Sequence, residues 1–254
     1  MKRHITPDMH ASVSEMTAAF AQINVQGPRS RELLQSLTSV DLSNDAFPFR
    51  TARSIDIGFA RVLCVRITYV GELGYELYIP SEQAAHVYER LVEAGKPFGL
   101  RHAGLKALAS LRMEKGYRDY GHDIDNTDNA FETGLGFAVD LKKPDFIGRA
   151  DALKQKAAPM QRRLAQVLVK DPEPLLFHAE VVLRDGKPVG YVRAGYYGHT
   201  LGGAVGLAMI EAGEPLTPGW LNAGRWEIDI AGKRYPAEVS LKPLYDPQME
   251  RIKA

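Results

Sequence analysis

The chain has a single cysteine, Cys64, among its 254 residues. One thiol cannot form a disulfide within the chain, which is typical of proteins from a reducing compartment. Cys64 lies in an apolar stretch, and we expect it to be buried as a small hydrophobic residue. No segment approaches the roughly 18 apolar residues of a membrane span, and the N-terminus lacks a signal-peptide core. The sequence therefore predicts a soluble, cytoplasmic protein with no membrane partner.

An excess of charge of either sign is also missing. Lys and Arg total 32 against 31 for Asp and Glu, so no overall field favours nucleic acid. The histidines are scattered, and Asp123 and Asp125 have no compact partner set, so we predict loop carboxylates and no metal site. The sequence contains no P-loop, no GxSxG elbow and no GxGxxG motif, which argues against dinucleotide binding.

The overall composition of the chain is ordinary for a globular protein, with 45% apolar and 25% charged residues. Up to about residue 160, strand patterns alternate with amphipathic helix patterns. The clearest helix covers residues 102–115, with Leu105, Leu108 and Leu111 facing inward. This order predicts an α+β fold for a first domain, residues 1–160.

From residue 161 the pattern changes to short strands separated by turns. Two of the turns, Asp185-Gly186 and Ala231-Gly232, have the glycine that a two-residue hairpin turn requires. We predict that residues 161–254 form a second domain, a small β-barrel or sandwich.

The segment from Thr68 to Pro80 places aromatic and acidic side chains on both sides of a glycine turn. Alternation with a period of two predicts a strand on each side, with Glu76 and Tyr78 on the face opposite to Leu77. A carboxylate beside a phenol can bind an N–H edge and stack on a ring, which suits a flat polar heterocycle. An ordinary hairpin with amphipathic tyrosines explains the same pattern, so both interpretations stay open.

Glu114 lies on the inward side of the helix predicted over residues 102–115, near its C-terminal end. A helix C-terminus carries negative partial charge, so a buried carboxylate there needs strong donors. One interpretation is a structural ion pair with Lys115 or a nearby arginine. The other is a ligand whose adjacent N–H groups bind the carboxylate bidentately.

Four segments, in the right order, resemble the glycine-cleavage T-protein (aminomethyltransferase) family, especially the C-terminal folate-binding domain of dimethylglycine and sarcosine dehydrogenases. These segments are Val25-Gln26-Gly27-Pro28, Tyr69–Tyr78, Leu111–Tyr117 and Asp145–Arg149. The resemblance covers nearly the whole chain from about residue 19. It implies a mixed α/β folate-binding lobe followed by a small C-terminal β-barrel.

The resemblance implies tetrahydrofolate as the cofactor. Glu114 matches the carboxylate that binds the pterin amine edge in the family. Phe137 stands where relatives often have a tyrosine, and Lys143 stands where some have an arginine, so Lys143 would attract the folate tail as a point charge. The other matched positions that line the folate are Tyr69, Glu76, Leu77 and Tyr78.

The resemblance also implies what lies outside the sequence. The chain begins near the middle of the family's domain, so the first lobe, with the aspartate that assists one-carbon transfer, is not included, and no catalytic residue is assigned. FAD would bind only to a missing region or to a partner such as a flavin oxidoreductase chain. The implied activity is folate-dependent transfer of an amine-borne one-carbon group, which gives 5,10-methylenetetrahydrofolate. The alternative is a non-catalytic folate-binding or subunit-interaction module.

Overall fold

Helices and strands are mixed along the chain in the computed structural model, which describes residues 2–254. The strands are β1 Phe20–Gln26, β2 Ala52–Ile57, β3 Ala60–Val65, β4 Gly74–Pro80, β5 Arg162–Val169, β6 Val181–Arg184, β7 Lys187–Gly198, β8 Gly203–Glu211, β9 Trp226–Ile230 and β10 Lys233–Ser240. The α-helices are α1 Ser30–Gln35, α2 Ala84–Gly95, α3 Leu105–Glu114, α4 Arg149–Ala157, α5 Pro218–Ala223 and α6 Glu250–Lys253. Among the described residues, no helix is long and apolar enough to cross a lipid bilayer.

The chain divides into two units. The first contains the residues up to Thr68, Glu72–His102 and Glu250–Ala254, and the second contains Tyr69–Gly71 and Ala103–Met249. The predicted domain boundary at residue 160 lies just before β5, and it stays a prediction about domain organisation.

The first unit is built on a four-stranded antiparallel sheet in the order β1-β4-β3-β2. Tyr75, Leu77 and Ile79 of β4 are fully buried. Leu34 of α1 and Val87 of α2 belong to the same apolar core. The alternation predicted for β4 is therefore confirmed, because one face of this strand packs against the helices.

The strand predicted before the glycine turn differs from the observed one. β3 ends at Val65, and residues 66–73 form a longer connection, so Tyr69 lies outside the sheet. The core face of β3 carries Val62 and Cys64, which are buried, whereas Leu63 on the other face is 44% exposed. Apolar residues occupy both faces of this strand, so the sequence period alone could not choose between them.

Cys64 is fully buried in the first unit, as predicted, and burial raises the pKa of its thiol to about 12. Because the thiolate is the reactive form, we expect the native protein not to react with an aromatic disulfide reagent at about pH 8. Unfolding in guanidinium chloride should release the full colour of one thiol per chain, and Cys64→Ser should release none. Rapid labelling of the native protein would contradict this burial.

The residues of α6 return to the first unit. Ile252 is buried. Arg66, only 1% exposed, donates from Nη1 to the main-chain oxygen of Phe47 at 2.8 Å and from Nη2 to those of Lys253 at 3.3 Å and Ala254 at 3.1 Å. The carbonyl groups of a distant segment therefore satisfy much of a buried guanidinium.

The second unit contains a closed barrel with the strand order β10-β5-β8-β7-β6-β9. The short strands predicted after residue 161 form this barrel, and the expectation of a C-terminal barrel is confirmed. The turns Asp185-Gly186 and Ala231-Gly232 have positive φ at both residues, 52° and 79° in the first and 52° and 84° in the second. These are the dihedrals of two-residue hairpin turns, which the glycines indicated.

Helix α3 confirms the predicted helix but not its predicted inward face. Leu105 is 82% exposed, and Leu108 and Leu111 are only partly buried. The buried side chains are Ser110, Arg112, Met113 and Glu114. Hydrogen bonds to distant segments select this face, because each buried polar group has an acceptor or donor in the second unit.

Candidate functional site

Glu114, at the end of α3, is almost fully buried, with 1% of its surface exposed. Its Oε1 accepts hydrogen bonds from the main-chain N–H groups of Thr200 at 2.7 Å and Leu201 at 2.8 Å. No hydrogen bond from another residue in 2–254 reaches Oε2. Two amides therefore supply the donors that a carboxylate at a helix C-terminus requires.

The ion-pair interpretation of Glu114 is wrong. Lys115 Nζ binds the carboxylate of Asp246 at 2.7 Å, and Arg112 binds Asp123. Arg112 and Lys115 thus have other partners, because neighbouring residues on a helix point in different directions.

The end of α3 is held by a residue of the barrel. Gln166 in β5 is 3% exposed, and its Nε2 donates to the main-chain oxygens of Met113 and Glu114, the latter at 3.0 Å. Its Oε1 accepts the N–H of Leu244 at 2.6 Å. These contacts satisfy two of the carbonyls that a helix end leaves free, so the backbone that carries Glu114 is fixed.

The turn between β7 and β8, Gly198–Gly203, presents the two amides to Glu114. Gly202 has φ of +76°, and its N–H donates to the oxygen of Gly198 at 2.8 Å. This glycine-rich run was not assigned to the candidate site from the sequence. The signal that was missed is the pair of small residues at 198 and 202, which lets the turn approach a helix closely.

Tyr69 belongs to the second unit and lies beside Tyr117, three residues after the end of α3. The two rings are nearly parallel, with centroids 6.0 Å apart and an interplanar angle of 11°. The hydroxyl of Tyr69 donates to the main-chain oxygen of Arg118 at 3.0 Å, and burial raises the pKa of Tyr69. Tyr117 was not assigned from the sequence, although it lies in the Leu111–Tyr117 motif.

Phe137 and Lys143 are exposed residues of the second unit. Phe137 is 82% exposed on the short 3₁₀ helix Gly136–Ala138. Lys143 lies in a loop whose carbonyl at this residue accepts a hydrogen bond from Arg149 Nε at 3.0 Å. Within residues 2–254, neither side chain hydrogen bonds to Glu114 or Tyr69.

Glu76, Leu77 and Tyr78 belong to β4 of the first unit. The hydroxyl of Tyr78 donates to Glu76 Oε2 at 2.8 Å, and this hydrogen bond raises the pKa of Tyr78. Leu77 is fully buried in the core on the opposite face. Any contribution of Leu77 to a ligand site would therefore come from its main chain and not from its side chain.

Two buried carboxylates of the second unit hold the segment after α3. Asp123, predicted as a loop carboxylate, has no exposed side-chain surface and pairs with both terminal nitrogens of Arg112. Asp128 is equally buried and binds Arg193 at 2.9 Å and Arg162 at 2.9 Å. The sequence could not reveal these ion pairs, because Asp128 and its arginine partners lie 34 and 65 positions apart.

Two open clefts of the second unit lie elsewhere. One, of about 320 Å³, is lined by residues 129, 131–132, 155 and 158–162, and the other, of about 410 Å³, lies where β9, β10 and α5 meet. Neither is lined by a residue that the family resemblance assigns to folate. The buried carboxylate of Glu114 lies outside both linings.

The sequence and the fold of this chain are similar to those of known proteins. A family model described as the GCVT N-terminal domain matches residues 1–143. A second, described as the glycine cleavage T-protein C-terminal barrel domain, matches residues 162–246. In the solved glycine cleavage system aminomethyltransferase T from Bartonella henselae, the fold is similar with a TM-score of 0.73 at 21% identity, over 88% of this chain and 59% of that one.

Two curated relatives are longer proteins. The 4-methylaminobutanoate oxidase (formaldehyde-forming) of Paenarthrobacter nicotinovorans is 42% identical over 96% of this chain and 29% of its own length. The mitochondrial sarcosine dehydrogenase of Homo sapiens is 37% identical over 91% of this chain and 25% of its own length. The chain thus spans less than a third of either relative.

Proposed function

Because these matches show that the chain belongs to the glycine cleavage T-protein family, we propose that it is the folate-binding part of a folate-dependent one-carbon transferase. The proposed reaction passes an amine-borne one-carbon group to tetrahydrofolate and gives 5,10-methylenetetrahydrofolate. The proposed setting is a cytoplasmic system like dimethylglycine or sarcosine dehydrogenase, in which FAD is bound outside this sequence. The name of one longer relative, a sarcosine dehydrogenase, supports the likeness to such a system, and the cytoplasmic location is proposed from the sequence alone.

The observation that carries the proposal is the free oxygen of Glu114. Oε2 belongs to an almost fully buried carboxylate, yet no donor among residues 2–254 binds it. Oε2 is not one of the fully buried side-chain atoms that lack a partner, so it keeps a small open surface, where a ligand N–H could bind it. The N–H edge of a pterin has this chemistry, so the residues fit the cofactor that the family implies.

The aromatic pair adds a second feature that suits a ring-bearing ligand. Tyr69 and Tyr117 form a stacked pair near the end of α3, and aromatic faces favour further stacking. Phe137 and Lys143 are exposed in the same unit and are proposed contacts for the ring system and the acidic tail. Glu76, Leu77 and Tyr78 remain folate positions proposed from the resemblance alone.

The residues of this chain bind and orient, and no bond-making step is assigned to them. When bound, tetrahydrofolate supplies the secondary amines that accept the one-carbon group. Glu114 would hold the N–H edge, and the aromatic residues would keep the ring in place and exclude water from it. Orientation of this kind is a recognised contribution to rate, because it removes the entropic cost of bringing two reactants together.

Glu114→Gln tests the site without removing its contacts to the turn. Glutamine keeps an oxygen for the amides of Thr200 and Leu201 but places an NH₂ donor where Oε2 was, so it opposes the ligand N–H. We expect the affinity for tetrahydrofolate, measured by anaerobic calorimetric titration, to fall by about tenfold or more. The unfolding midpoint should change little.

The matched control is Glu93→Gln, which changes an exposed glutamate of α2 and should leave the affinity unchanged. Absence of tetrahydrofolate binding by the wild-type chain would contradict the proposed function. Binding that Glu114→Gln leaves unchanged would contradict the site assignment only.

A non-catalytic interaction module is the second candidate. One relative is named formaldehyde-forming, which describes a one-carbon group that leaves as formaldehyde. Leu105, Phe137 and Ile147 of the second unit are each more than 80% exposed, at 82%, 82% and 87%, so these apolar side chains are available to another protein surface. Failure of the wild-type titration would favour this candidate.

A further inference from the structure

Tyr69–Gly71 is a three-residue segment of the second unit, although the residues before and after it belong to the first. Tyr69 is one of the proposed folate contacts. It lies in the connection between β3, which ends at Val65, and β4, which begins at Gly74, so no strand fixes its main chain. Contacts within the second unit therefore define where its ring lies.

Two of these contacts hold the far end of the Tyr69 side chain. The hydroxyl group donates to the main-chain oxygen of Arg118 at 3.0 Å, and the ring stacks on Tyr117. Both partners follow directly after α3. They restrain the ring but not the main chain from which it starts, and the main chain needs a contact of its own.

Lys115 supplies this contact through the aliphatic part of its side chain. A β-carbon at Gly71 would lie 2.9 Å from Cγ and 3.0 Å from Cβ and Cδ of Lys115. The methylene groups thus pass directly against the main chain of Gly71, where a larger residue does not fit. Gly71 also has φ of +77°, which glycine adopts without steric cost.

The charged end of Lys115 keeps these methylene groups in place. The residue has no exposed surface, and its Nζ donates to the carboxylate of Asp246 at 2.7 Å and to the main-chain oxygen of Asp246 at 2.5 Å. A lysine side chain is a flexible four-carbon stem. Two hydrogen bonds to one residue remove this freedom, so the stem becomes a fixed surface for Gly71.

We propose that Lys115 is a positioning residue for Tyr69. Its anchored stem sets the main chain of Tyr69–Gly71, and the hydrogen bond to Arg118 then sets the direction of the ring. This inference rests on the proposed function and deepens it, because it names what holds a proposed folate contact in place. A side chain that is ordered in advance increases affinity, since the ligand does not have to order it.

Fluorine NMR of a 3-fluorotyrosine at position 69 tests the positioning without any ligand. In the wild type we expect one resonance, shifted away from that of the unfolded chain. In Lys115→Met it should move most of the way towards the unfolded-chain position, because the stem is no longer anchored. Lys106→Met changes an exposed lysine of the same helix and should not move it. A resonance that Lys115→Met leaves in place would overturn the inference while the proposed function stands.

A paired variant separates positioning from stability. Lys115→Met alone leaves the carboxylate of Asp246 without its cation, which also destabilises the fold. Lys115→Met with Asp246→Asn removes both charges, and asparagine tolerates the φ of 44° at residue 246. We expect the unfolding midpoint of the paired variant to return close to that of the wild type. Its affinity for tetrahydrofolate, measured by anaerobic calorimetric titration, should stay about tenfold lower.

A double-mutant cycle shows whether this loss passes through Tyr69. In a Tyr69→Ala background the paired replacement should change the affinity by less than about twofold, because the side chain that it positions is gone. Equal losses with and without Tyr69 would overturn the inference. A paired variant that binds tetrahydrofolate as tightly as the wild type would do the same, since the ion pair would then serve stability alone.

Gly71→Ala disturbs the same contact and keeps the ion pair. We expect it to weaken tetrahydrofolate binding by about tenfold, because its β-carbon would push the main chain away from Lys115. Gly213→Ala is the matched control, since Gly213 has a similar φ of +69° but no atom within 4 Å of the added β-carbon. It should leave the affinity unchanged.

The glycine variant decides the inference even where the paired variant fails to fold. Wild-type affinity in Gly71→Ala would overturn the positioning role and leave the proposed function standing. A wild-type chain that does not bind tetrahydrofolate would overturn both.

Discussion

Asp123→Ala is expected to lower the free energy of unfolding by about 3–5 kcal/mol, because it leaves the buried guanidinium of Arg112 without its partner. The side chains of Arg112 and Asp123 are 3% and 0% exposed. Asp123 also accepts the main-chain N–H of Asp119 at 2.9 Å, which would lose its acceptor. Equilibrium unfolding in urea, followed by circular dichroism, measures the change.

Asp145→Ala is the control for this measurement, because Asp145 is an exposed carboxylate of the same unit. The double replacement Arg112→Met with Asp123→Leu should recover much of the lost stability, since it removes both charges together. A single Asp123→Ala variant as stable as the wild type would contradict the buried ion pair.

Asp128→Ala is expected to have an effect of similar size, about 3–5 kcal/mol, because Arg193 is also nearly buried. Asp128 has no exposed side-chain surface, and Arg193 is 9% exposed. Arg193 further donates to the main-chain oxygen of Asp123 at 3.3 Å, so the two carboxylates belong to one network. Differential scanning calorimetry should show a lower unfolding temperature for the transition that includes the barrel.

Arg162→Met provides the comparison for Asp128→Ala. Arg162 is 27% exposed and also lies near Glu132 and Glu211, so its loss should cost clearly less than the loss of Asp128. If Arg162→Met were the more damaging variant, the assignment of Arg193 as the principal partner would be wrong.

Local chemistry explains which features the sequence predicts well. The turns Asp185-Gly186 and Ala231-Gly232 have a glycine at a position that needs positive φ, and this requirement is visible in two residues. The core face of β4 follows from a strict period of two. The turns and the core face of β4 depend on residues that are neighbours in the sequence, so sequence patterns are sufficient to predict them.

Distant partners explain the features that the sequence does not predict. The buried face of α3 is polar because Glu114 binds amides 86 and 87 positions away. Leu105 satisfies the helical period equally well, yet it is exposed. The spacing of apolar residues predicts only which helix face is hydrophobic. It cannot predict that a carboxylate is buried when its hydrogen-bond donors come from another segment.

Tyr69 illustrates the same limit at the candidate site. Its alternation with Ile67 predicts a strand, but β3 ends at Val65. The residue then stacks on Tyr117, which is far from it in sequence. The family resemblance identified both motifs in the right order, and only the structure pairs these two rings.

The return of α6 to the first unit has a consequence for synthesis of the protein. A ribosome makes Arg66 early, and then the entire segment from Ala103 to Met249, before the carbonyls of Lys253 and Ala254 emerge 187 and 188 positions later. The first unit therefore cannot fold to completion before the second has been translated. The barrel is formed by one continuous segment, so it can fold before the hydrogen bonds from Arg66 to residues 253 and 254 have formed.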